Sequence, residues 1–309
     1  MRILSNNRQD YFFIIAPFWI FLSYPALILL VGEKYSIWVF ILYFLLLGET
    51  HFGATWLFYT KKENRIWVKR NIRTTITIPT ILILGYVVIG IKSVNLAVYI
   101  GSAVSFYHVC RQSVGVMKMF CKSVDLKDQI MIFFPSALFL GAGYLRFFVD
   151  ETLWVNRTII LISLLAIMMA TAHLVRARKR DDYKYFLPTY LTGIMIFSPY
   201  AFMPSTRDAL AMGVGMHWCQ YIALTGKIYI LKRADSYKVL KVTGLLCYSV
   251  ITTYLLVKNN QGYNSTNPIV LLPLALHLFH FYLDAFIWKF SDPDIRANIG
   301  VPLKAEMNG

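Results

Sequence analysis

Residues 157–175 read RTIILISLLAIMMATAHLV, and residues 176–180 read RARKR. As a helix rising 1.5 Å per residue, the first stretch reaches about 28 Å, close to the roughly 30 Å of hydrocarbon in a bilayer. Its single charge, Arg157, sits at one end, and a basic cluster closes the other. That pattern is a membrane span with a cytoplasmic anchor. Only a helix satisfies every backbone group within one such segment.

The same pattern recurs along the chain. Spans are expected near 11–32, 37–60, 74–92, 95–118, 129–149, 157–175, 185–203, 207–231, 239–257 and 268–290. The expected fold is therefore all-α, a polytopic membrane bundle of about ten helices forming one domain over residues 1–309. Composition agrees. The 309 residues are 57% hydrophobic and 15% charged, against about 25% charged in soluble domains. The first span is longer than a signal-peptide core and has no small-residue cleavage site after it, so it reads as retained. The interruption by Pro188 and Pro199 makes the seventh span the least regular.

Charge sets the orientation. Of the 31 Lys and Arg, 23 fall in or beside the two tails and the even-numbered loops, and 6 in the odd-numbered loops. Cytoplasmic loops carry the Lys/Arg excess, so both termini are expected in the cytoplasm, at a bacterial inner (plasma) membrane. The net charge of +15 then matches anionic headgroups. No nucleic-acid-binding motif is present. Cys110, Cys121, Cys219 and Cys247 lie in or beside apolar blocks and show neither CxxC spacing nor a disulfide framework.

All six histidines lie in even-numbered spans: His51, His108, His173, His217, His277 and His280. Counted from the cytoplasmic ends, all but His173 fall in one layer, roughly 13–20 Å above the inner boundary at 1.5 Å per residue. Ionisable groups at that depth are expensive and mark functional sites or polar helix seams. The last span carries His277, His280 and Asp284, whose spacings of three, four and seven place them on one helical face. Two imidazoles and a carboxylate suit iron, manganese or zinc, and form the usual non-haem Fe(II) set when coordination positions stay open. Asp284 reads equally as the acceptor that orients a ligand histidine.

The candidate metal ligands are thus His51, His108, His217, His277, His280 and Asp284. Arg111 shares the face of His108 and needs an acceptor if buried; Glu49 is expected to be its partner or a proton-transfer group. Tyr221 shares the face of His217 and joins Arg111 and Glu49 as a candidate catalytic residue. Glu49 and His51 stand about 200° apart on a straight helix. The flanking Gly48 and Gly53 leave room for distortion.

Histidines scattered singly over several spans, with a close pair on one, make the chain similar to the Brp/Blh family of membrane carotenoid-cleaving oxygenases. The resemblance is architectural and covers at most residues 36–290. It implies iron-dependent cleavage of β-carotene, with His51, His108, His217, His277 and His280 as iron ligands. From the residues themselves, the expected function is a metal enzyme, an oxygenase or desaturase-like oxidoreductase, acting on a hydrophobic substrate drawn from the bilayer. Its cofactor would be Fe(II), with zinc or copper as other metals that accept imidazoles. Two alternatives stay open. One is a transporter or a proton or metal-ion pathway. The other is an electron-transfer protein with haem held between His108 and His217.

Overall fold

The computed structural model describes residues 7–230, 237–260, 268–289, 292–295 and 297. Every regular element among them is helical. In chain order they are α1 (Arg8–Ile15), α2 (Phe18–Val31), α3 (Glu33–Thr60), α4 (Lys62–Arg70), α5 (Arg73–Lys92) and α6 (Val94–Phe120). Then come α7 (Leu126–Phe148), α8 (Leu153–Ala177), α9 (Tyr183–Met195), α10 (Thr206–Tyr229), α11 (Lys238–Asn260) and α12 (Pro268–Ile287).

Five of these are long and apolar enough to cross a membrane: α3, α5, α7, α8, and α11 over Lys238–Val257. Their outward surfaces are apolar. Ile160, Leu161, Leu164, Ile167 and Met168 of α8 are all exposed, and Leu29 and Leu30 of α2 are 84% and 81% exposed. Apolar patches of that extent are rare on monomeric soluble proteins. The chain is a membrane protein.

The other expected spans take different forms. Residues 11–32 form two helices, α1 and α2, bent by 68° where Pro17 follows Ala16. A residue before proline is driven out of the helical region, and Ala16 sits at φ −142°, ψ 67°. Helix α6 has 27 residues but carries His108, Arg111, Gln112 and Lys118. Helix α9 ends after 13 residues, about 20 Å, and a 3₁₀ turn at Ser198–Ala201 follows. Helix α10 contains a π-helical turn at Leu210–Val214. The apolar part of α12, Leu271–Ile287, reaches about 26 Å.

The described residues fall into two compact units. The first comprises Phe44–Tyr107 and the described part of Tyr221–Gly309. In it α3 changes pitch twice: π-helical at Phe44–Glu49, α-helical at Thr50–Ala54, and 3₁₀ at Thr55–Thr60. It lies closely against α11. A Cβ at Gly53 would come within 2.7 Å of Leu245 and Tyr248, and Thr50 shares a hydrogen bond with Ser249 at 3.1 Å. Tyr86, Ala97 and Ala275 form a small core joining α5, α6 and α12.

The second unit comprises Arg8–Tyr43 and His108–Gln220. Asp125 caps α7 through a reciprocal pair of bonds with Asp128, satisfying donors that a helix start leaves open. Gly213 tolerates no side chain, because a Cβ there would sit 2.1 Å from the carbonyl oxygen of Ile196. Tyr24 of α2 donates to Asp208 of α10 at 2.7 Å.

Candidate metal centre

In the first unit α3 and α12 carry the histidines. The π-helical turn before Thr50 adds residues to one turn, so Glu49 and His51 both reach α12. Glu49 is fully buried, and its Oε1 lies 2.9 Å from Nε2 of His277. His51 lies against His280 and Tyr221, with ring centroids 4.4 Å away in each case. The glycine-flanked distortion expected of this segment is present. π-Helical turns cluster at functional sites. Glu49 has His277 as its partner, which replaces the expected Arg111.

His280 and Asp284 stand one turn apart on α12. The Nδ1 of His280 hydrogen-bonds to Thr55 Oγ1. Thr55 Oγ1 is 3.1 Å from the hydroxyl of Tyr221, and that hydroxyl donates to Asp284 Oδ1 at 2.7 Å. The Trp288 indole also hydrogen-bonds to Asp284. Thr55, Tyr221, His280 and Asp284 are buried, and Trp288 is half-buried.

The direction of this chain follows from its ends. A carboxylate only accepts, so Tyr221 spends its one proton on Asp284. Thr55 must then donate to the Tyr221 oxygen, and its own oxygen accepts the Nδ1 proton of His280. In a neutral imidazole this leaves the lone pair on Nε2 of His280. It faces Asp284 Oδ2 at 3.8 Å, too far for a hydrogen bond. Partners that fix the tautomer and orientation of a ligand histidine are the usual surroundings of a protein metal site. His51 lies beside His280, with ring centroids 4.4 Å apart.

His277 takes another role. Its ring stacks on Phe52, with centroids 3.7 Å apart and planes 19° apart, while its Nε2 is held by Glu49. The shared face of His277, His280 and Asp284 is divided, one histidine to Glu49 and the other to the Thr55–Tyr221–Asp284 chain. Asp284 is buried.

In the second unit His108 and His217 face each other, with ring centroids 5.2 Å apart and planes at 89°. Each brings a ring nitrogen within 4.8 Å of one from the other. Both are buried, and together they could hold a metal ion, as could His280 with Asp284. Gln220 donates to the carbonyl of Ile14 at 2.6 Å. Arg111 is exposed, which corrects the expectation of a buried guanidinium needing a carboxylate. Cys110 and Cys219 are free and buried.

His173, at the end of α8, enters a buried ionic network. Its Nε2 is 3.0 Å from Asp128 Oδ1, and Arg180 spans Asp128 Oδ2 at 3.1 Å and Asp182 Oδ1 at 2.9 Å. The Lys122 amide donates to Asp182 at 2.6 Å. The Arg180 hydrogen bonds hold the Asp182 carboxyl below its ordinary value. These contacts tie the loops around α7 and α8 together. Asp128, Arg180 and Thr55 were not visible from sequence as partners. The one available signal was that Thr55 follows His51 by four residues, one helical turn.

Comparison with protein-family models, curated proteins and solved structures gave no match. The likeness to the Brp/Blh family thus rests on architecture alone.

Proposed function

We propose that this protein is a membrane-embedded metal enzyme that binds a transition metal through His51, His280 and Asp284 and acts oxidatively on a lipophilic substrate. The observation that carries this reading is the hydrogen-bonded chain from His280 through Thr55 and Tyr221 to Asp284, which orients a buried imidazole and a buried carboxyl one helical turn apart. Two histidines and one carboxylate are the donor set of non-haem Fe(II) oxygenases, so iron is the proposed metal. Bound there, iron would supply activation of dioxygen. The chain's own residues do the rest. Thr55 keeps the His280 proton on Nδ1. Tyr221 and Trp288 hold Asp284 in place. Glu49 and His277 hold a proton between Oε1 and Nε2, next to the donor set. His108 and His217 are a further proposed ligand pair in the second unit.

The proposal includes ten spans with both termini cytoplasmic, at a bacterial inner membrane, on the Lys/Arg distribution. A carotenoid or other isoprenoid is the substrate suggested by the architectural likeness. Transport is a second reading, supported by the 68° break between α1 and α2 and the early end of α9, since transporters place broken helices at their sites.

The test is metal content in wild-type protein and in His280→Ala, purified from membranes in detergent. The proposal expects near-stoichiometric iron in the first, and its loss from a variant that still inserts and elutes as a single species. Equal metal in both would remove His280 from the ligand set.

A further inference from the structure

Four segments meet at one end of the second unit: the last turn of α6, the first turn of α7, the last turn of α8 and the first turn of α9. His173 of α8 reaches Asp128 of α7. The rings of Phe120 and Tyr185, with centroids 6.5 Å apart, bring the end of α6 to the start of α9. Helices α7 and α8 are two of the five long and apolar enough to cross a membrane. Their shared end therefore lies at the level of lipid head groups.

The acids at this end are engaged within the protein. Asp128 meets His173 and Arg180, and Asp182 meets Arg180 and the Lys122 amide. Asp181 pairs with Lys122 at 3.2 Å, and Asp125 caps α7. Arg180 also donates to the carbonyl of Ser123. Of the basic run at residues 176–180, Arg180 is thus the one turned inward, and it fastens the loop after α8 to the start of α7.

The other cations face outward. Lys118, Lys127, Arg176, Arg178, Lys179 and Lys184 are all exposed, and among the described residues none of the six has an acidic partner. Residues 118–130 and 173–190 are all described. Apolar surface begins beside these charges. Val175 precedes Arg176, and Leu126 and Ile130 flank Lys127 within one turn; all three are exposed.

We propose that this end of the second unit binds an anionic phospholipid, its phosphate held by the basic cluster and its acyl chains along the exposed apolar faces of α7 and α8. Charge complementarity selects the phosphate, which arginine meets with paired donors. The apolar surface next to the charges selects an amphiphile over a soluble phosphate ester or an acidic protein. The Arg180 network holds the loop in place before the lipid arrives, which lowers the ordering cost of binding. The site is independent of the metal centre.

The experiment is native mass spectrometry of full-length protein in detergent, titrated with phosphatidylglycerol or phosphatidylcholine of the same acyl chains. The first bound lipid is read in wild type and in two triple variants of exposed residues, each checked for a single elution peak. One is Arg176→Gln/Arg178→Gln/Lys179→Gln. The other, Lys62→Gln/Arg65→Gln/Lys69→Gln, removes the same charge from α4 in the first unit. Wild type should prefer phosphatidylglycerol. The first variant should lose about 100-fold in affinity for it, at about fivefold for each cation near a membrane surface, and the second should stay within a few-fold of wild type. Equal losses in the two variants would overturn the site in favour of general charge attraction, and equal affinity for the two lipids would overturn the phosphate assignment. Displacement of the bound lipid by glycerol 3-phosphate or by polyglutamate at matched charge would overturn the lipid assignment, in favour of a free phosphate ester or an acidic protein respectively.

Discussion

Thr55→Val tests the hydrogen-bond chain behind the proposed metal centre. Thr55 is 1% exposed, and its hydroxyl joins His280 to Tyr221. Valine keeps the branched shape and removes both bonds. The Nδ1 proton of His280 then loses its acceptor, at a cost of about 1–3 kcal/mol in the folded protein. The imidazole becomes free to change tautomer and turn. Mutating partners of this kind lowers metal affinity about 10- to 100-fold, or about 1.4–2.8 kcal/mol. Thr55→Ser keeps the hydroxyl and should hold affinity within a few-fold of wild type. The assay is competition with a graded series of chelators, read as metal retained, alongside thermal unfolding in the same detergent. Unchanged affinity in Thr55→Val would refute the reasoning, as would an equal loss in Thr55→Ser and Thr55→Val.

Gly213→Ala should destabilise the protein by about 3 kcal/mol or more, because its Cβ meets a backbone oxygen that cannot swing away. Gly141→Ala is the control, since a Cβ there meets nothing within 4 Å, and its unfolding temperature should hold or rise. Asp182 titrates below its ordinary value because Arg180 hydrogen-bonds its ionised form. Its stabilising contribution is therefore complete above the unfolded value of about 3.9 and lost as pH falls through the lower folded value. The difference in unfolding temperature between wild type and Asp182→Asn should shrink as pH is lowered from 6 toward 3, and a constant difference would remove the Arg180–Asp182 pair from the account.

The helical, membrane-embedded character of the chain was legible because apolar blocks of the right length ended in basic clusters. Grouping His280 with Asp284 followed from helical periodicity alone. The rest depended on departures from periodicity. The π-helical turn at Phe44–Glu49 re-aims Glu49, so its partner is His277. A straight-helix projection cannot supply that, because the extra residue in the turn shifts everything before it. Arg111 shares a face with His108 in projection. Residues three apart differ by about 60° on a 3.6-residue helix, enough for one to be buried and the other exposed. Hydropathy did not reveal the bend at Pro17, the early end of α9 or the π-helical turn at Leu210–Val214, because each lies within an apolar run that reads as continuous. Thr55 carried only the weak signal of lying one turn after His51, since a threonine in a helix ordinarily bonds its own backbone.

The most direct test of the central claim is elemental analysis with a visible absorption spectrum on detergent-purified wild-type protein. The account predicts close to one iron per chain and no Soret band. Protein that binds no transition metal even after anaerobic reconstitution with Fe(II) would contradict it, and a Soret band would point to a haem protein instead.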